Sequence, residues 1–318
     1  MAPNHHLSLG LPNYSRRDFL RRATIATSAL AAAGAGAWPV AGTEPGTVPV
    51  VVFSKVYQEL KLDFNAAAEL TAEAGLQGVD CPLRPGGEIT PERVVDELPR
   101  YVEVLKRHQL QMPLLTTAIT SVSSPNAEVI LRTAKKLGVQ SYRLGFINRQ
   151  PEASMEKQVR EVRAQLKDLA AMNQEIGIGA LLQNHSSSGG RGYFGGNLGD
   201  LVQAIQGFDP AQIGVAFDIG HALVTHGDEW KRYFDPLKPH FRIAYIKDVK
   251  RQGGWVPFGQ GDIAGTGYFA LLKEMKYQAP ISLHIEFDWA GSSQAKDRAA
   301  LLSALQTSGH VLRGWLAA

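Results

Sequence analysis

Polar side chains that can bind a proton, a cation or a sugar hydroxyl recur along the chain, each just after a run of apolar residues. In chain order they are Arg84, Gln183, Asn184, His185, Asp218, His221, Lys247, Asp248, His284 and Glu286. Carboxylates and imidazoles are the usual groups of general acid–base catalysis. Carboxylate and amide oxygens also bind hard cations. The pattern therefore predicts an enzyme active site assembled from distant parts of the chain.

The segments that carry these residues predict strands and helices that alternate from residue 48 onward. Short runs rich in Val, Ile and Leu predict eight strands. The strands are expected at residues 48–53, 76–81, 111–118, 140–146, 178–185, 213–218, 241–249 and 281–287. Amphipathic segments between them predict eight helices. The helices are expected at residues 64–74, 91–108, 126–137, 152–176, 198–206, 229–237, 268–276 and 295–312.

Eight strands, each followed by a helix, predict an α/β fold of the (β/α)₈ TIM-barrel type. The rival fold is an open doubly wound sheet, but no G-x-G-x-x-G pattern follows the first strand. In a barrel, active sites form where the strands end and the loops to the helices begin. Side chains alternate along a strand, so Gln183 and His185 share one face, as do His284 and Glu286. We therefore expect the polar groups to line one mouth of a barrel.

Several of these residues also have a structural interpretation. Asp218 and Glu286 could be buried carboxylates that pair with Lys247, because buried ions need a partner. His284 lies deeper in the barrel than Glu286. It could equally be a hydrogen-bonded core histidine or a residue that acts as a ligand in the site. Asn184 lies on the opposite face of its strand, where it could simply bind the loop backbone.

The first 47 residues predict export. Residues 15–20, Ser-Arg-Arg-Asp-Phe-Leu, form a twin-arginine pattern, and an alanine-rich run follows at 23–37. That run is too short and too weakly apolar for a stable membrane anchor. Small residues at 35–37 and at 40–42 are alternative cleavage sites. We interpret residues 1–37 as a twin-arginine signal peptide, 38–47 as a linker and 48–318 as the barrel, which predicts a folded protein delivered to the periplasm or beyond.

Composition and charge limit the classes of molecule that we expect the protein to bind. Of the 318 residues, 44% are hydrophobic and 20% charged, which is ordinary for a soluble globular protein. The formal charge of +3 comes entirely from residues 1–37, so the remainder sums to zero. Electrostatics therefore gives no reason to expect nucleic acid or an anionic membrane surface as a partner. Cys81 is the only cysteine, which excludes an internal disulfide.

The chain resembles the xylose-isomerase-like TIM-barrel superfamily, also called sugar phosphate isomerases/epimerases. The resemblance spans the barrel and rests on short segments around the strand ends. These are residues 75–80, 183–185, 217–221, 246–248, 256–261 and 280–286. It implies a small carbohydrate as substrate and a divalent cation (Mn, Mg, Co or Zn) as cofactor. A homo-oligomer is compatible with the sequence, which does not set the number of chains.

The resemblance also implies a set of metal ligands, which this chain matches only in part. Ketose epimerases of that group hold their metal with Glu, Asp, His and Glu on strands five to eight. The matching positions here are Gln183, Asp218, Tyr245 and Glu286, of which only two keep the expected residue. Gln183 can still offer a carbonyl oxygen, and His185 or His221 could complete the shell. We therefore predict a metal bound by Gln183, Asp218 and Glu286.

The shared chemistry of the superfamily is removal of a proton next to a carbonyl, with the enolate stabilised by a cation. The resemblance thus implies a periplasmic sugar isomerase or epimerase. Gln183 cannot act as a second base, so β-elimination from a 3-keto-glycoside is an alternative, as is a non-catalytic sugar-binding barrel. Glu286 or His221 would be the base, Lys247 would help hold the enolate, and His185 would protonate a leaving group. We assign substrate binding to Arg84, Asn184, Asp248 and His284.

Overall fold

A computed structural model of the protein describes residues 48–187, 192–291 and 295–318. The predicted signal peptide and linker lie outside the described residues. The barrel itself is complete in eight parallel strands, because β1 pairs with β8 and each strand pairs with the next. In order, β1 to β8 are Val50–Phe53, Gly78–Leu83, Gln111–Thr117, Ser141–Arg143, Gly179–Gln183, Ile213–Asp218, Phe241–Ile246 and Ile281–Leu283. The predicted (β/α)₈ TIM barrel is confirmed.

Nine α-helices among the described residues cover the outside of the barrel. In order, α1 to α9 are Phe64–Glu73, Val94–Arg107, Ala127–Lys136, Met155–Ile176, Leu198–Ile205, Ile219–His226, Trp230–Leu237, Tyr268–Glu274 and Arg298–Ala317. Short 3₁₀ helices add single turns at Ser54–Leu60, Pro91–Arg93, Gly227–Glu229, Lys238–His240 and Ile263–Thr266. No helix of the described residues is both long enough and apolar enough to cross a bilayer.

Side-chain caps begin several helices where the sequence places Asp, Ser or Asn. Asp63 accepts a hydrogen bond from the backbone of Ala66 at the start of α1, and Asp297 does the same for Ala300 at the start of α9. Such caps satisfy amide groups that have no partner within the helix. Gly177 ends α4 in the left-handed conformation (φ 79°), which glycine adopts at low cost.

The predicted elements differ from the structure mainly at the mouth of the barrel. The fourth and eighth strands were predicted at 140–146 and 281–287, but β4 ends at Arg143 and β8 at Leu283. Beyond these points the backbone leaves the strand ladder. The helix α6, which begins directly after Asp218, was not predicted, because its first five residues are all buried and it therefore lacks a clear polar face.

The inside of the barrel is mainly apolar in its middle, although Asp80 and Ser282 are also buried at that level, and it is polar at its mouth. Five side chains fill the middle: Leu114, Leu181, Ala216, Ile243 and Tyr245, none more than 1% exposed. The next inward-facing residues along each strand form the mouth, because side chains alternate. Most of the residues singled out in the sequence lie in that upper layer.

Candidate active site

Lys247 is the centre of the mouth. It follows β7, and its side chain is 2% exposed. Its Nζ lies 2.9 Å from Oε2 of Glu286, 3.2 Å from Oδ2 of Asp218 and 2.9 Å from Nε2 of His221. The indole ring of Trp255 covers the ammonium at 4.7 Å. Three neighbouring strand ends, β6 to β8, thus converge on one nitrogen atom.

The charges of this cluster stabilise one another. Burial lowers the pKa of Lys247, but Asp218 and Glu286 outweigh that effect, so its pKa lies above the ordinary value. Burial alone would raise the pKa values of Asp218 and Glu286. The neighbouring groups, above all the nearby ammonium, have the larger opposite effect, so both pKa values are lower than usual, and that of Glu286 is strongly lowered. Lys247 is therefore an ammonium and its two partners are carboxylates at neutral pH.

His221 is held between Lys247 and Ser186. Because an ammonium can only donate, Nε2 of His221 accepts from Lys247, and Nδ1 therefore carries the hydrogen. That Nδ1 lies 2.8 Å from Oγ of Ser186 and donates to it. Burial and the nearby Lys247 hold the pKa of His221 well below its ordinary value. His221 is thus neutral, and both of its nitrogens are occupied.

His185 lies beside His221, with ring centroids 3.7 Å apart. Its Nδ1 is 2.7 Å from the backbone oxygen of Ser186, which only accepts, so Nδ1 carries the hydrogen. The lone pair of this imidazole is then on Nε2. Burial and Lys247 lower the pKa of His185. The rings of Phe146 and Tyr193 pack against it at 4.8 and 5.2 Å. His185 therefore presents a neutral imidazole with a basic nitrogen.

Asp218 is fixed from two sides. Asn184 pairs with its backbone through two hydrogen bonds of 2.8 Å, one to the carbonyl oxygen and one from the amide. Its Oδ1 accepts from the amide of His221 and so caps α6, while its Oδ2 accepts from Nε2 of Gln183 at 3.1 Å. Asn184 was predicted to bind substrate, but its amide is used here to join β5 to β6.

Asp248 also has a different role from the one predicted. Its Oδ2 accepts from the amides of Gly259 and Gly261 at 2.8 and 2.9 Å, and its Oδ1 accepts from Val249 at 3.0 Å. A Cβ on Gly261 would lie 2.1 Å from Oδ1. This buried carboxylate organises the loop after β7, and its oxygens are already engaged by the backbone.

His284 and Arg84 lie on the other side of the mouth. His284 is 3% exposed, and neither of its ring nitrogens has a hydrogen-bond partner among the described residues. Its Nδ1 is 3.6 Å from Oε1 of Glu286, which is longer than a hydrogen bond. Phe53 stacks on this imidazole at 4.7 Å, and the Arg84 guanidinium lies 5.8 Å from the centre of the Phe53 ring.

Two functional candidates were not predicted from the sequence. Arg143 ends β4, is 2% exposed and lies level with Thr116 on the neighbouring strand. Ser186 joins the two histidines through its hydroxyl and its carbonyl oxygen. The signal for Arg143 was that it is the one charged residue in the predicted strand at 140–146. No pattern in the sequence indicated Ser186, because its role depends on the path of the loop after β5.

The predicted metal ligands do come together, but around the ammonium of Lys247. Gln183 turns its amide N–H toward Asp218, and Lys247 lies between Asp218 and Glu286. The described residues contain no group of three or more His, Cys, Asp or Glu side chains placed to hold a metal ion. A divalent cation needs oxygen atoms that point at a common open position. The side chains at this mouth do not fit such a cation, because a cationic side chain already occupies that position.

Comparison with known proteins gives the family of the fold. The family described as "xylose isomerase-like TIM barrel" matches residues 68–305, about three quarters of the chain. A search of curated proteins gave no match.

Three solved structures illustrate the range of relatives. A 3-keto-D-glucoside 4-epimerase from E. coli superimposes with a TM-score of 0.63 at 15% identity, over 84% of this chain and 100% of that one. A probable 3-DHS dehydratase from Bacillus anthracis gives 0.61 at 14% identity, over 84% and 99%. A xylose isomerase-like TIM barrel protein from Mycobacterium smegmatis, in complex with magnesium, gives 0.60 at 14% identity, over 85% and 98%. At these identities the likeness establishes the fold alone.

Proposed function

The chain belongs to the xylose isomerase-like TIM barrel family, and we propose that it is a sugar isomerase or epimerase that removes a proton next to a carbonyl. The observation that carries the proposal is the ammonium of Lys247 beside two neutral imidazoles, of which His185 has a basic nitrogen with no hydrogen-bond partner in the part of the chain that the structure describes. A base and a fixed cation in one mouth are what enolate formation requires. Proteins of the same fold are named as a 3-keto-D-glucoside 4-epimerase and a probable 3-DHS dehydratase, which supports this class of reaction.

His185 is the proposed base. The hydrogen bond to the Ser186 carbonyl fixes its tautomer, so Nε2 faces the reaction with its lone pair. Its lowered pKa keeps it neutral at pH 7. Glu286 was the predicted base, but its pKa is far below the ordinary value, which makes it a weak base. His221 was the other candidate, and both of its nitrogens are already engaged.

Lys247, His221 and Ser186 are proposed to stabilise the enolate oxygen. His221 donates to Oγ of Ser186, which leaves the hydroxyl hydrogen of Ser186 able to donate to substrate. The ammonium polarises this chain through Nε2 of His221, and such chains strengthen one another in a low-dielectric site. The positive charge also acts directly on the developing oxyanion, because the site is partly shielded from water.

Elimination is the second candidate, and Gln183 is the observation that favours it. Epimerisation at one carbon requires proton delivery to the face opposite the base. The β5 position at that mouth is an amide that donates to Asp218, and an amide acts neither as a general base nor as a general acid near neutral pH. A 3-keto-glycoside could instead lose its aglycone from the enolate, with one base sufficient for the first step.

The test is a screen of free ketoses and 3-keto-glucosides in D₂O, followed by NMR. Isomerisation or epimerisation incorporates deuterium at the carbon next to the carbonyl and keeps the glycosidic bond. Elimination releases the aglycone and leaves an unsaturated keto-sugar. Sugars that bind without either exchange or bond cleavage would contradict an enzymatic role and support a sugar-binding barrel instead.

We also propose that the protein is exported folded through the twin-arginine pathway, on the strength of Arg16 and Arg17 before an alanine-rich run. Replacing both with lysine should leave full-length precursor in the cytoplasm, whereas the unchanged protein is recovered from the periplasm. Normal export of the double variant would overturn the proposal.

A further inference from the structure

Arg143 is a buried cation without an ionic partner among the described residues. Only 2% of its surface is exposed, and within the described part of the chain its guanidinium makes one hydrogen bond, from Nη1 to the backbone oxygen of Leu144 at 2.8 Å. The guanidinium lies 4.6 Å from the centre of the Phe146 ring. A guanidinium has five N–H donors, so this environment leaves most of them unused. Burying an unpaired charge is costly, which points to a partner that the chain itself does not supply.

Arg84 is a second guanidinium on the same side of the mouth. It lies two residues beyond Pro82, which is level with Thr116 and, through it, with Arg143. Arg84 is half-buried over Phe53 and makes no ion pair among the described residues. The two guanidiniums are close enough that Arg84 further lowers the pKa of Arg143, after burial has lowered it. Arg84 and Arg143, two like charges, therefore lie on the same side of the mouth, which we call the arginine wall.

The nearby acidic residues form no ion pair with either guanidinium among the described residues. Both oxygens of Asp80 accept hydrogen bonds from hydroxyl groups, those of Thr116 and Ser282, at 2.8 and 2.9 Å. Glu286 is bound to Lys247. The internal segments outside the described residues, 188–191 and 292–294, contain no Asp or Glu. The arginine wall therefore lacks a direct carboxylate partner from the barrel domain.

His284, just beyond the end of β8, adds a polar group next to Arg84, because both side chains pack on the Phe53 ring. Its imidazole is buried against Phe53 and Tyr245, and both nitrogens are without a partner among the described residues. A buried polar atom without a partner is rare, and a bound ligand is one of its ordinary explanations.

We propose that Arg84 and Arg143 bind an anionic group of the substrate, a carboxylate or a phosphate, so that the substrate is an acidic sugar. Arginine matches both anions with paired N–H donors. His284 would complete the subsite with one further hydrogen bond. The anion would lie across the mouth from Lys247, which leaves the carbonyl end of the sugar toward His185 and Ser186. This inference rests on the proposed function, since it assigns the substrate class of the same site.

The test is calorimetric binding of three probes: D-glucuronate, D-glucose 6-phosphate and neutral D-glucose. At least one anionic probe should bind more tightly than D-glucose, and its binding should weaken as salt is added. The anion that binds distinguishes a carboxylate from a phosphate subsite. Arg84→Gln should weaken that binding by about tenfold to a hundredfold, the usual effect of removing a charge-assisted hydrogen bond. Arg143→Gln should do the same, with a thermal melt to verify its fold.

Arg100→Gln is the matched control, because it removes one exposed guanidinium from the outer face of α2 and should leave the dissociation constant unchanged. Equal binding of glucose and the acidic probes overturns the inference, as do failure of both anions to bind and indifference of the binding to Arg84→Gln. Binding is measured without turnover. Binding of an anionic probe, together with neither exchange nor bond cleavage in the D₂O screen, would therefore remove the proposed function and keep the anion subsite.

Discussion

Lys247 and Glu286, at the ends of the adjacent strands β7 and β8, are joined by a hydrogen bond of 2.9 Å in which the ammonium donates to Oε2. Asp218 approaches the same nitrogen at 3.2 Å from β6. The two carboxylates that were predicted to hold a metal ion are thus held together by a side chain of the protein. The positive charge between these carboxylates is therefore supplied by the fold itself.

Removing the ammonium should strongly destabilise the barrel. In Lys247→Met, Asp218 is left as a fully buried carboxylate without its cation, and breaking a buried pair costs about 3–5 kcal/mol. Urea denaturation gives the free energy of unfolding. Lys296→Met is the matched control: that lysine bridges Glu59 on the surface, where a pair contributes about 0–1 kcal/mol. Equal losses in the two variants would show that the buried cluster has no special role.

His185 should control turnover and its response to acid. As the proposed base it contributes about 10²–10⁴-fold, so His185→Ala should lose that much of kcat without a change in melting temperature. Burial and Lys247 lower its pKa, so the imidazole is active at neutral pH and is protonated only below its ordinary range. kcat/KM should therefore fall as the pH drops through a value below 6.5.

His310→Ala, on the exposed face of α9, should leave both the rate and the acid limb unchanged. If His185→Ala keeps full activity, or keeps the same acid limb in its pH profile, then His185 is not the base.

Asp248 should prove to be structural. Asp248→Ala leaves the amides of Gly259 and Gly261 without acceptors, and a buried unsatisfied group costs about 1–3 kcal/mol. Gly261→Ala should give a similar loss, because its Cβ would collide with the carboxylate. Gly265→Ala is the control, since nothing lies within 4 Å of the added methyl group. Unchanged stability of Asp248→Ala, with a loss of substrate binding alone, would restore the predicted binding role.

Glu88 should make stability depend on pH. Burial raises its pKa from 4.5 to about 7, where it accepts from Ser54 and Tyr101. Between these two values the folded protein holds a proton that the unfolded chain has lost, so stability falls as pH rises through this window. Glu88→Gln keeps the neutral form, and at pH 8 it should be more stable by on the order of 2–3 kcal/mol.

At pH 4.5 Glu88→Gln and the unchanged protein should unfold alike. The exposed Glu92→Gln should follow the unchanged protein throughout. A flat difference between Glu88→Gln and the unchanged protein across this pH range would show that Glu88 is ionised in the folded state.

The sequence predicted the barrel and most of the mouth because both follow from local patterns. Short apolar runs mark the strands, which are three to seven residues long in the structure, and a polar residue at the end of such a run marks the mouth. Asp218, Lys247 and Glu286 were identified in this way. How these three side chains contact one another could not be predicted, because the direction of a long lysine side chain depends on the register of three strands. An ion pair with Lys247 and a metal site therefore remained as alternatives.

The remaining differences have similar causes. Asp248 stands at a strand end like a binding residue, but the glycine-rich loop folds back and its amides take both carboxylate oxygens. Arg143 was hidden within a predicted strand, and only the barrel register places it at the mouth. Ser186 acts through a loop whose path no short-range pattern fixes.

The most direct test of the central claim, that Lys247 stands in place of a divalent cation, is metal analysis of the purified protein coupled to a turnover assay. Protein dialysed in turn against Mn²⁺, Mg²⁺, Co²⁺ and Zn²⁺ is freed of excess ion, analysed for metal content, and assayed before and after chelation. Our account predicts metal far below one ion per chain and turnover that chelation leaves unchanged. One tightly bound ion per chain, whose removal abolishes turnover and whose return restores it, would contradict it.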